Sequence, residues 1–286
     1  MTTRMTPWKT ELVEVAPRVY AYTQHPGTAG ISNAGLVLGE EWALVVDAML
    51  VPSMTRPFME QVRRVTGLPI RFLVNTHHHA DHIFGNQFVG AQHIVSHPYC
   101  RAEILRSAQA SLEESKRNRP QYADDWRQIA ITPPDLTFEE KMVLHLGDTA
   151  VEILYLGGPA HTYGDVVVHI PRHKVLFAGD LAFYYVTPLA FQGHVSGWIR
   201  VLDRIQAMDI ETVVPGHGPV GSKRELAQVR QYLALMRREA RKCFRAGLSV
   251  EEAARSVRVP RYASWAEQGW LARNVQRLYQ EFRREI

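Results

Sequence analysis

The sequence predicts an α/β protein in which two β-sheets pack face to face and helices cover their outer sides, a four-layer αββα sandwich. Two observations predict this arrangement. Two stretches rich in short apolar and β-branched runs each end in an amphipathic helix followed by another apolar strand. The 46% apolar content of the 286 residues is enough for an ordinary globular core, so a disordered chain is not expected.

The first half of the sandwich is predicted from the opening of the chain. Apolar runs separated by the turns HPGTAG and GEE predict four short strands. An amphipathic helix follows them, and the run IRFLV predicts a strand buried on both faces. The predicted bounds are 12–15, 19–23, 31–38 and 42–47 for the strands, 53–65 for the helix and 70–74 for the buried strand.

The second half repeats the pattern. Four strands are predicted, then a helix with Ser196 as its N-cap, then a closing strand. The predicted bounds are 141–146, 149–155, 165–170 and 174–178 for the strands, 197–208 for the helix and 212–214 for the last strand.

Two helical segments lie outside this repeat. Residues 98–139 form an insertion in the first predicted domain, 1–222, with helices around 99–116 and 122–129. A lid over the site and a simple packing pair remain open as its role. Residues 223–286 form a C-terminal helical extension, with predicted helices at 223–245, 249–257 and 265–283.

The C-terminal extension is basic, with 15 Lys and Arg against 7 Asp and Glu. Such a surface suits an anionic substrate, an acidic carrier or nucleic acid. The charges alternate with apolar positions at helical spacing, which favours the alternative that they cover the solvent-facing sides of amphipathic helices. Nucleic-acid binding is therefore not expected, and the sequence makes no prediction of oligomeric state.

Composition also restricts the compartment and the type of metal site. The two cysteines are far apart in sequence, so a disulfide framework and a thiolate zinc site are not expected. The N-terminus lacks the apolar core of a signal peptide, and no apolar run is long enough to span a membrane. We therefore expect a cytoplasmic protein without membrane association.

The stretch NTHHHADH, residues 75–82, follows the predicted buried strand and contains the pattern H-x-H-x-D-H. Random placement of the same residues would produce this pattern about once in a thousand such chains. His77 and His79 alternate on extended backbone, so both imidazoles point to one side and can bind one ion. Asp81 and His82 lie further on and can address a second ion, whereas His78 points away and is expected not to be a ligand.

Four further donors each follow an apolar or small-residue run. Any one of them alone would be an ordinary polar residue at a strand end, but together they predict a shared site at one edge of the sheets. Gly179 and Gly216 would let the main chain approach a compact centre. The four donors are Asp47, His161, Asp180 and His217.

In this order the donors resemble the five motifs of the metallo-β-lactamase fold superfamily of metal-dependent hydrolases. The resemblance covers roughly residues 12–222 and implies ligands for two metal ions. The implied ligands are His77, His79 and His161 for the first ion, Asp81, His82 and His217 for the second, and Asp180 as the bridge. The aspartate of the first motif, here Asp47, is implied to support the ligands.

The expected cofactors are two Zn²⁺ ions, with Mn²⁺ or Fe also compatible with His and Asp ligands. The expected reaction is attack on an ester, thioester, lactone or amide carbonyl of a small molecule by a hydroxide shared between the ions. Asp81 and Asp180 are the expected catalytic carboxylates. Aromatic residues of the loop after Asp180 suggest a mouth for an apolar or planar acyl group, with loop packing as the open alternative. Its candidate pocket residues are Tyr184, Tyr185, Phe191 and His194.

Within the superfamily, the aspartate at position 180 argues against a true β-lactamase, because the β-lactamase classes carry Cys or Ser there. At most weak β-lactamase activity is therefore expected. Glyoxalase II, lactonases, sulfur-oxidation-associated metallohydrolases and polyketide cyclase or thioesterase enzymes keep the aspartate. The segments GPAHTYGDVVVHIP and VVPGHGPV are most similar to the last two groups, and no glutathione-binding set is matched.

Three rival functions remain. A phosphodiesterase or nuclease of the same fold has the same ligands, but no protruding RNA-binding arm is evident here. Persulfide dioxygenases resemble the chain in HADHIFG and use a single iron, so metal analysis distinguishes them. A non-catalytic carrier-binding module would require vestigial ligands, whereas all seven are present.

Overall fold

The computed structural model describes residues 8–286, so residues 1–7 of the N-terminal stretch considered above lie outside it. The first of its two sheets has seven strands in chain order. The first four strands form an antiparallel meander, and the later ones pair in parallel. These strands are β1 (Glu11–Ala16), β2 (Val19–Thr23), β3 (Ala34–Leu38), β4 (Ala43–Val46), β5 (Ile70–Val74), β6 (His93–Ser96) and β7 (Leu136–Thr137).

The second sheet has five strands in the order β12-β11-β10-β9-β8. Its strands are β8 (Lys141–Leu146), β9 (Thr149–Tyr155), β10 (Val166–Ile170), β11 (Val175–Phe183) and β12 (Thr212–His217). Neighbours pair antiparallel except β11 and β12, which are parallel because a helix connects them.

The helices of the molecule connect these strands or follow the last one. They are α1 (Pro52–Val65), α2 (Ala80–Ile83), α3 (Asn86–Val89), α4 (Pro98–Asn118), α5 (Ala123–Trp126), α6 (Val195–Ala207), α7 (Lys223–Arg245), α8 (Val250–Ser256) and α9 (Trp270–Arg283). Between residues 8 and 286, no helix combines the length and the apolar character that a bilayer crossing requires.

The two sheets bury a shared apolar layer. Val46 and Val74 of the first sheet belong to one cluster with Val168 and Phe177 of the second. Packing of this kind stabilises by about 25 cal/mol per Å² of apolar surface removed from water. The inner layer therefore fixes the two sheets relative to each other.

Helices cover the outer face of each sheet. Phe58 of α1 packs against the first sheet, and Trp198, Leu233 and Leu278 of α6, α7 and α9 pack against the second. The predicted αββα sandwich with C-terminal helices is confirmed. The last helix begins at Trp270 rather than at residue 265, because a short turn and an isolated bridge precede it.

The insertion packs onto the sandwich through an apolar helix face. Cys100, Ile104 and Leu112 of α4 are buried in one cluster with Phe84 and Trp126. Residues 136–137 at its end form β7, which extends the first sheet. Opening of this segment as a lid stays a prediction.

Some predicted boundaries differ from the structure. Strand β3 begins at Ala34, because the main chain before it bonds elsewhere, with the Asn33 N–H donating to Gly216 O at 2.8 Å. The N-cap of α6 is His194 rather than Ser196, since Nδ1 of His194 accepts from the Gly197 N–H at 3.1 Å. The short strand β6 was not predicted.

Candidate metal centre

Seven His and Asp donors converge at one end of the sandwich. Four come from the segment after β5 of the first sheet, two from strands β11 and β12 of the second sheet, and one from the loop between β9 and β10. Within residues 8–286, their ligand atoms form two groups, and the atoms of each group lie within 4.8 Å of one another. The groups are His77, His79, His161 and Asp180, and Asp81, His82 and His217.

The first group surrounds one oxygen of Asp180. Its Oδ2 lies 3.6 Å from Nε2 of His77 and 3.2 Å from Nε2 of His161. Nδ1 of His79 lies 2.9 Å from Nε2 of His161. Three imidazole nitrogens and one carboxylate oxygen are a donor set typical of zinc.

The second group surrounds the other oxygen of the same carboxylate. Oδ1 of Asp180 lies 3.1 Å from Nε2 of His82 and 3.5 Å from Nε2 of His217. Oδ2 of Asp81 lies 3.4 Å from Nε2 of His217. One carboxylate thus faces both groups of donors.

The donor atoms fit bound cations. Four of the buried polar atoms without a hydrogen-bond partner in residues 8–286 belong to this cluster: His77 Nε2, His82 Nε2, His161 Nδ1 and Asp180 Oδ1. Buried polar atoms are normally paired, because an unsatisfied one costs about 1–3 kcal/mol. Three of them, all but the Nδ1 of His161, face the interior of the cluster, where a cation would satisfy them.

Asp47 orients two of the histidines from behind. Its Oδ2 accepts from Nδ1 of His82 at 2.8 Å and from the Thr76 hydroxyl at 2.8 Å. The Thr76 hydroxyl lies 3.1 Å from Nδ1 of His77. With Nδ1 engaged in this way, the Nε2 lone pair of each imidazole points into the cluster.

The other histidines also have partners behind the ring. Nδ1 of His217 lies 3.1 Å from the carbonyl oxygens of Gly27 and Ile31. Nε2 of His79 lies 2.8 Å from Oε1 of Gln192, which leaves Nδ1 for the cluster. Neither Thr76 nor Gln192 was predicted. Thr76 directly precedes His77, but its role depends on its bond to Asp47 from another strand end, and Gln192 reaches His79 from a loop far along the chain.

The pKa values of the donors follow from burial and from the mixture of charges. Burial raises the pKa of Asp180, but the surrounding imidazoles, that of His217 foremost, hold it well below its usual range. Burial disfavours the charged form of His217, yet Asp180 and Asp81 outweigh it and raise its pKa to about 10. Burial and neighbouring imidazoles lower the pKa of His77, which stays neutral and keeps a lone pair available.

Two glycines allow the close approach of strands at the centre. A Cβ on Gly216 would lie 1.9 Å from Oδ1 of Asp180, and one on Gly179 would lie 2.6 Å from Oγ1 of Thr76. Gly179 also has φ of +50°, in the left-handed region. A side chain at either position would displace the site residue beside it.

His78 lies outside both donor groups. Its Nε2 contacts Oε1 of Gln192 at 2.9 Å, the same oxygen that contacts His79. We expected His78 to point away from its neighbours because side chains alternate on extended backbone, whereas the main chain bends at residues 76–78 in the structure.

The four residues predicted to line a substrate pocket lie in different environments. Phe191 is 41% exposed and stacks on the ring of His79 with centroids 5.1 Å apart. Tyr184 is 1% exposed in the core of the second sheet, and its hydroxyl donates to the carbonyl of Ser222 at 2.9 Å. Tyr185 packs at the edge of that core, and His194 caps α6. Of the four, Phe191 lines the cavity beside the donors.

That cavity has a volume of about 200 Å³ and opens directly onto the donor cluster. Leu50, Phe183 and Trp270 provide apolar walls, and Ser111 and Arg119 of the insertion complete it. Arg119 was not predicted, because its approach to the site arises from the packing of α4.

The family model described as the metallo-beta-lactamase superfamily matches residues 27–217, well over half of the chain. This segment includes all seven donors, Asp47, Thr76 and Gln192. It begins after β2 and ends with the last donor, His217.

Curated relatives with different activities are similar to the chain. The linear primary-alkylsulfatase of a Pseudomonas species is 23% identical over 79% of this chain and 49% of its own length. A hydroxyacylglutathione hydrolase of Mesorhizobium japonicum is 31% identical over 44% of this chain and 39% of its own. The acyl-coenzyme A thioesterase MBLAC2 of Gallus gallus is 28% identical over 65% and 72%. The chain thus spans about half or less of the first two relatives.

Solved structures share the fold. The sec-alkylsulfatase Pisa1 of a Pseudomonas species superposes with a TM-score of 0.75 at 16% identity, over 96% of this chain and 50% of its own. A metallo-beta-lactamase from Pontibacter korlensis superposes with a TM-score of 0.65 at 22% identity, over 79% and 99%. With its motifs, its sandwich and the matched family model in agreement, the chain belongs to the metallo-beta-lactamase superfamily.

Proposed function

We propose that this metal-dependent hydrolase uses two metal ions, Zn²⁺ foremost, to hydrolyse a carboxylic ester or thioester of a small molecule. The observation that carries the proposal is the carboxylate of Asp180, whose two oxygens each face a separate group of donors. Mn²⁺ and Fe suit the same ligands and are alternatives.

The two ions would be held by the two donor groups described above, with Asp180 shared between them. When bound, such ions lower the pKa of water towards about 7 and polarise the bond under attack. Asp47, Thr76 and Gln192 keep the imidazoles in the tautomer and orientation that binding requires. Asp81, half-buried at the cavity wall, provides a further carboxylate beside the attacked bond.

The walls of the cavity favour an acyl group with apolar surface. Phe191, Phe183 and Trp270 line it within reach of the donors. Phe183 also stacks on His217, with centroids 5.0 Å apart, so the aromatic wall is continuous with the ligands. Apolar walls with a few polar groups are typical of small-molecule sites.

Sulfate-ester hydrolysis is the second candidate. Similarity to the alkylsulfatases supports it, because the Pisa1 superposition covers 96% of the chain, including the C-terminal helices. The reaction would use the same donors with sulfur, rather than carbon, as the attacked atom. The two candidates differ in substrate and share the metal centre.

Metal analysis and a substrate panel test the proposal together. We expect two equivalents of metal per chain by elemental mass spectrometry. With Zn²⁺ or Mn²⁺ loaded, we expect turnover of at least one of a thioester, a lactone, a 4-nitrophenyl ester or a 4-nitrophenyl sulfate.

Three results would contradict it. One iron per chain with oxygen uptake would favour a dioxygenase. Cleavage of bis(4-nitrophenyl) phosphate alone would favour a phosphodiesterase. Full loading with two metal ions and no turnover of any ester would leave the donor cluster without the proposed hydrolytic role.

A further inference from the structure

A positively charged side chain lies beside the donor cluster without a role in holding it. Arg119, at the C-terminal end of α4, lines the same 200 Å³ cavity as His79, Asp81 and Asp180. It is half-buried there. A guanidinium near bound cations is electrostatically unfavourable unless a negative group comes between them.

The main chain of Arg119 is firmly anchored. Its N–H donates to the carbonyl of Ser115 at 2.9 Å, and its own carbonyl accepts from Nε1 of the buried Trp126 at 2.8 Å. These bonds fix the point from which the side chain of Arg119 leaves the main chain beside the cavity.

The guanidinium of Arg119 packs against the main chain at Gly30. A Cβ on Gly30 would fall 1.9 Å from Nη1 of Arg119, and Gly30 has φ of +80°. The loop that contains Gly30 also provides the carbonyls of Gly27 and Ile31 behind His217. Absence of a side chain at position 30 therefore makes room for the guanidinium next to the loop that supports His217.

Arg119 has no acidic partner within 4 Å among residues 8–286, and its guanidinium donates no hydrogen bond there. Two nearby arginines do have partners for their guanidinium groups. Arg106 pairs with Glu103, and Arg277 donates to the carbonyls of Gln192 and Gly193. Both line the adjacent cavity, so the arginines on that side of the site are partnered, whereas Arg119 lies between that side and the donors without a partner among the described residues.

The positive charge continues outward. A second cavity of about 540 Å³ shares Arg119 and Phe191 with the first. Arg117 and Arg273 line it as well, against one acidic residue, Glu114. The groove that leads away from the donors is therefore net positive.

We propose that Arg119 determines specificity by binding an oxyanion of the substrate, a carboxylate or a sulfate, beside the metal pair. The inference rests on the proposed hydrolase function and adds that the substrate is an anionic ester. Guanidinium groups bind such oxyanions through two parallel N–H···O bonds, which a lysine cannot reproduce. The anion is either a carboxylate distant from the attacked bond or the sulfate ester itself.

Three chromogenic esters test the proposal on the metal-loaded protein: 4-nitrophenyl acetate, mono-4-nitrophenyl succinate and 4-nitrophenyl sulfate. The variants are Arg119→Gln and Arg119→Lys, with Arg106→Gln as the matched control. We expect Arg119→Gln to lower kcat/KM for an anionic ester by roughly 10- to 100-fold, because a hydrogen bond to a charged group is lost. Turnover of the acetate ester should change by less than about threefold, within the scatter of surface substitutions.

Comparison of the three esters shows which oxyanion, if any, Arg119 binds. Dependence on Arg119 with the succinate ester identifies a carboxylate, and dependence with the sulfate identifies a sulfate ester. Equal loss on neutral and anionic esters, or no loss on either, overturns the role of Arg119 while the hydrolase function stands. If Arg119→Gln loses metal or secondary structure, the Arg119→Lys variant decides the test. Its preference for the anionic ester over the acetate ester must then be smaller than that of the wild type.

Discussion

At the scale of single residues, Asp180 is the carboxylate that both donor groups share. It is 5% exposed, and its oxygens face imidazoles on both sides. A buried carboxylate in such surroundings is stable only when positive charge compensates it. In the loaded protein, that charge would come from the ions.

Replacing Asp180 with Asn tests this role with little change of shape. We expect Asp180→Asn to lower the metal content below two per chain and kcat by about 100-fold or more, because losses at supporting residues of metal sites already reach that size. Elemental mass spectrometry and ester turnover measure both. Asp203→Asn, which removes only the exposed ion pair with Arg230, is the control. An Asp180→Asn protein with full metal and full turnover would contradict the shared-carboxylate arrangement.

Gly216 offers a second test of how closely the centre is packed. A methyl group there would overlap Oδ1 of Asp180, so Gly216→Ala should shift the carboxylate and weaken metal binding by about 10-fold or more. Competition with a chromophoric chelator measures the affinity. Gly269→Ala is the control, since no atom lies within 4 Å of its added Cβ. Unchanged affinity in Gly216→Ala would mean that the centre tolerates displacement of Asp180.

The residues that gather at the site could be nominated largely from spacing. His77 and His79 were predicted from the local spacing H-x-H, although the main chain bends at residues 76–78 where extended backbone was expected. Arg119 and Gln192 could not be found this way, because each reaches the donors from a segment with its own local pattern. A helix end such as that of α4 indicates a boundary and says nothing about which cavity its side chains enter.

At the scale of elements, the C-terminal end of strand β11 was predicted wrongly from the sequence pattern. Its predicted end was residue 178, but the strand runs to Phe183 and contains Asp180. Gly and Asp are poor strand formers, so the segment resembles a strand end. The pairing with β12 shifts register on both sides of Gly179, so the strand continues through an irregularity that presents Asp180 to the site.

Ion pairs across the second sheet give a pH-dependent prediction at this scale. Glu152 on β9 contacts Nζ of Lys141 on β8 at 2.6 Å and Nδ1 of His169 on β10 at 3.2 Å. Hydrogen bonding to Lys141 foremost lowers the pKa of Glu152. A lowered folded pKa means stabilisation that is complete above the unfolded value of about 4.3 and is lost as pH falls through the folded value.

Glu152→Gln should therefore lower the free energy of unfolding by about 0.2–1 kcal/mol near neutral pH, the range for partly exposed pairs. The difference from wild type should shrink as pH falls below about 4. Urea unfolding across this range measures it, with the exposed Glu140→Gln as control. A difference that grew towards acid pH would contradict the assigned ion pairs.

At the scale of the whole molecule, the site joins the two sheets. His77, His79, Asp81 and His82 follow β5 of the first sheet, whereas Asp180 and His217 lie on strands of the second. Because donors come from both sheets, metal binding would constrain how the sandwich is held together at this end. Superfamily membership and the αββα architecture could be predicted because motif order and strand pattern are properties of the whole chain. The substrate depends on loops and on the insertion, where sequence patterns are weakest.

Removal of the metal tests this coupling between site and fold. Ions that bind the folded chain alone stabilise it by about 2.7 kcal/mol at a free concentration 100 times Kd. For a protein of this size, chelation should therefore lower Tm by roughly 5–10 °C, and added Zn²⁺ should restore it. Differential scanning fluorimetry with and without chelator measures the shift, and Asp180→Asn should respond much less. If the chelator removes the metal and Tm stays the same, the ions do not hold the two sheets together, and the site is supported by the fold alone.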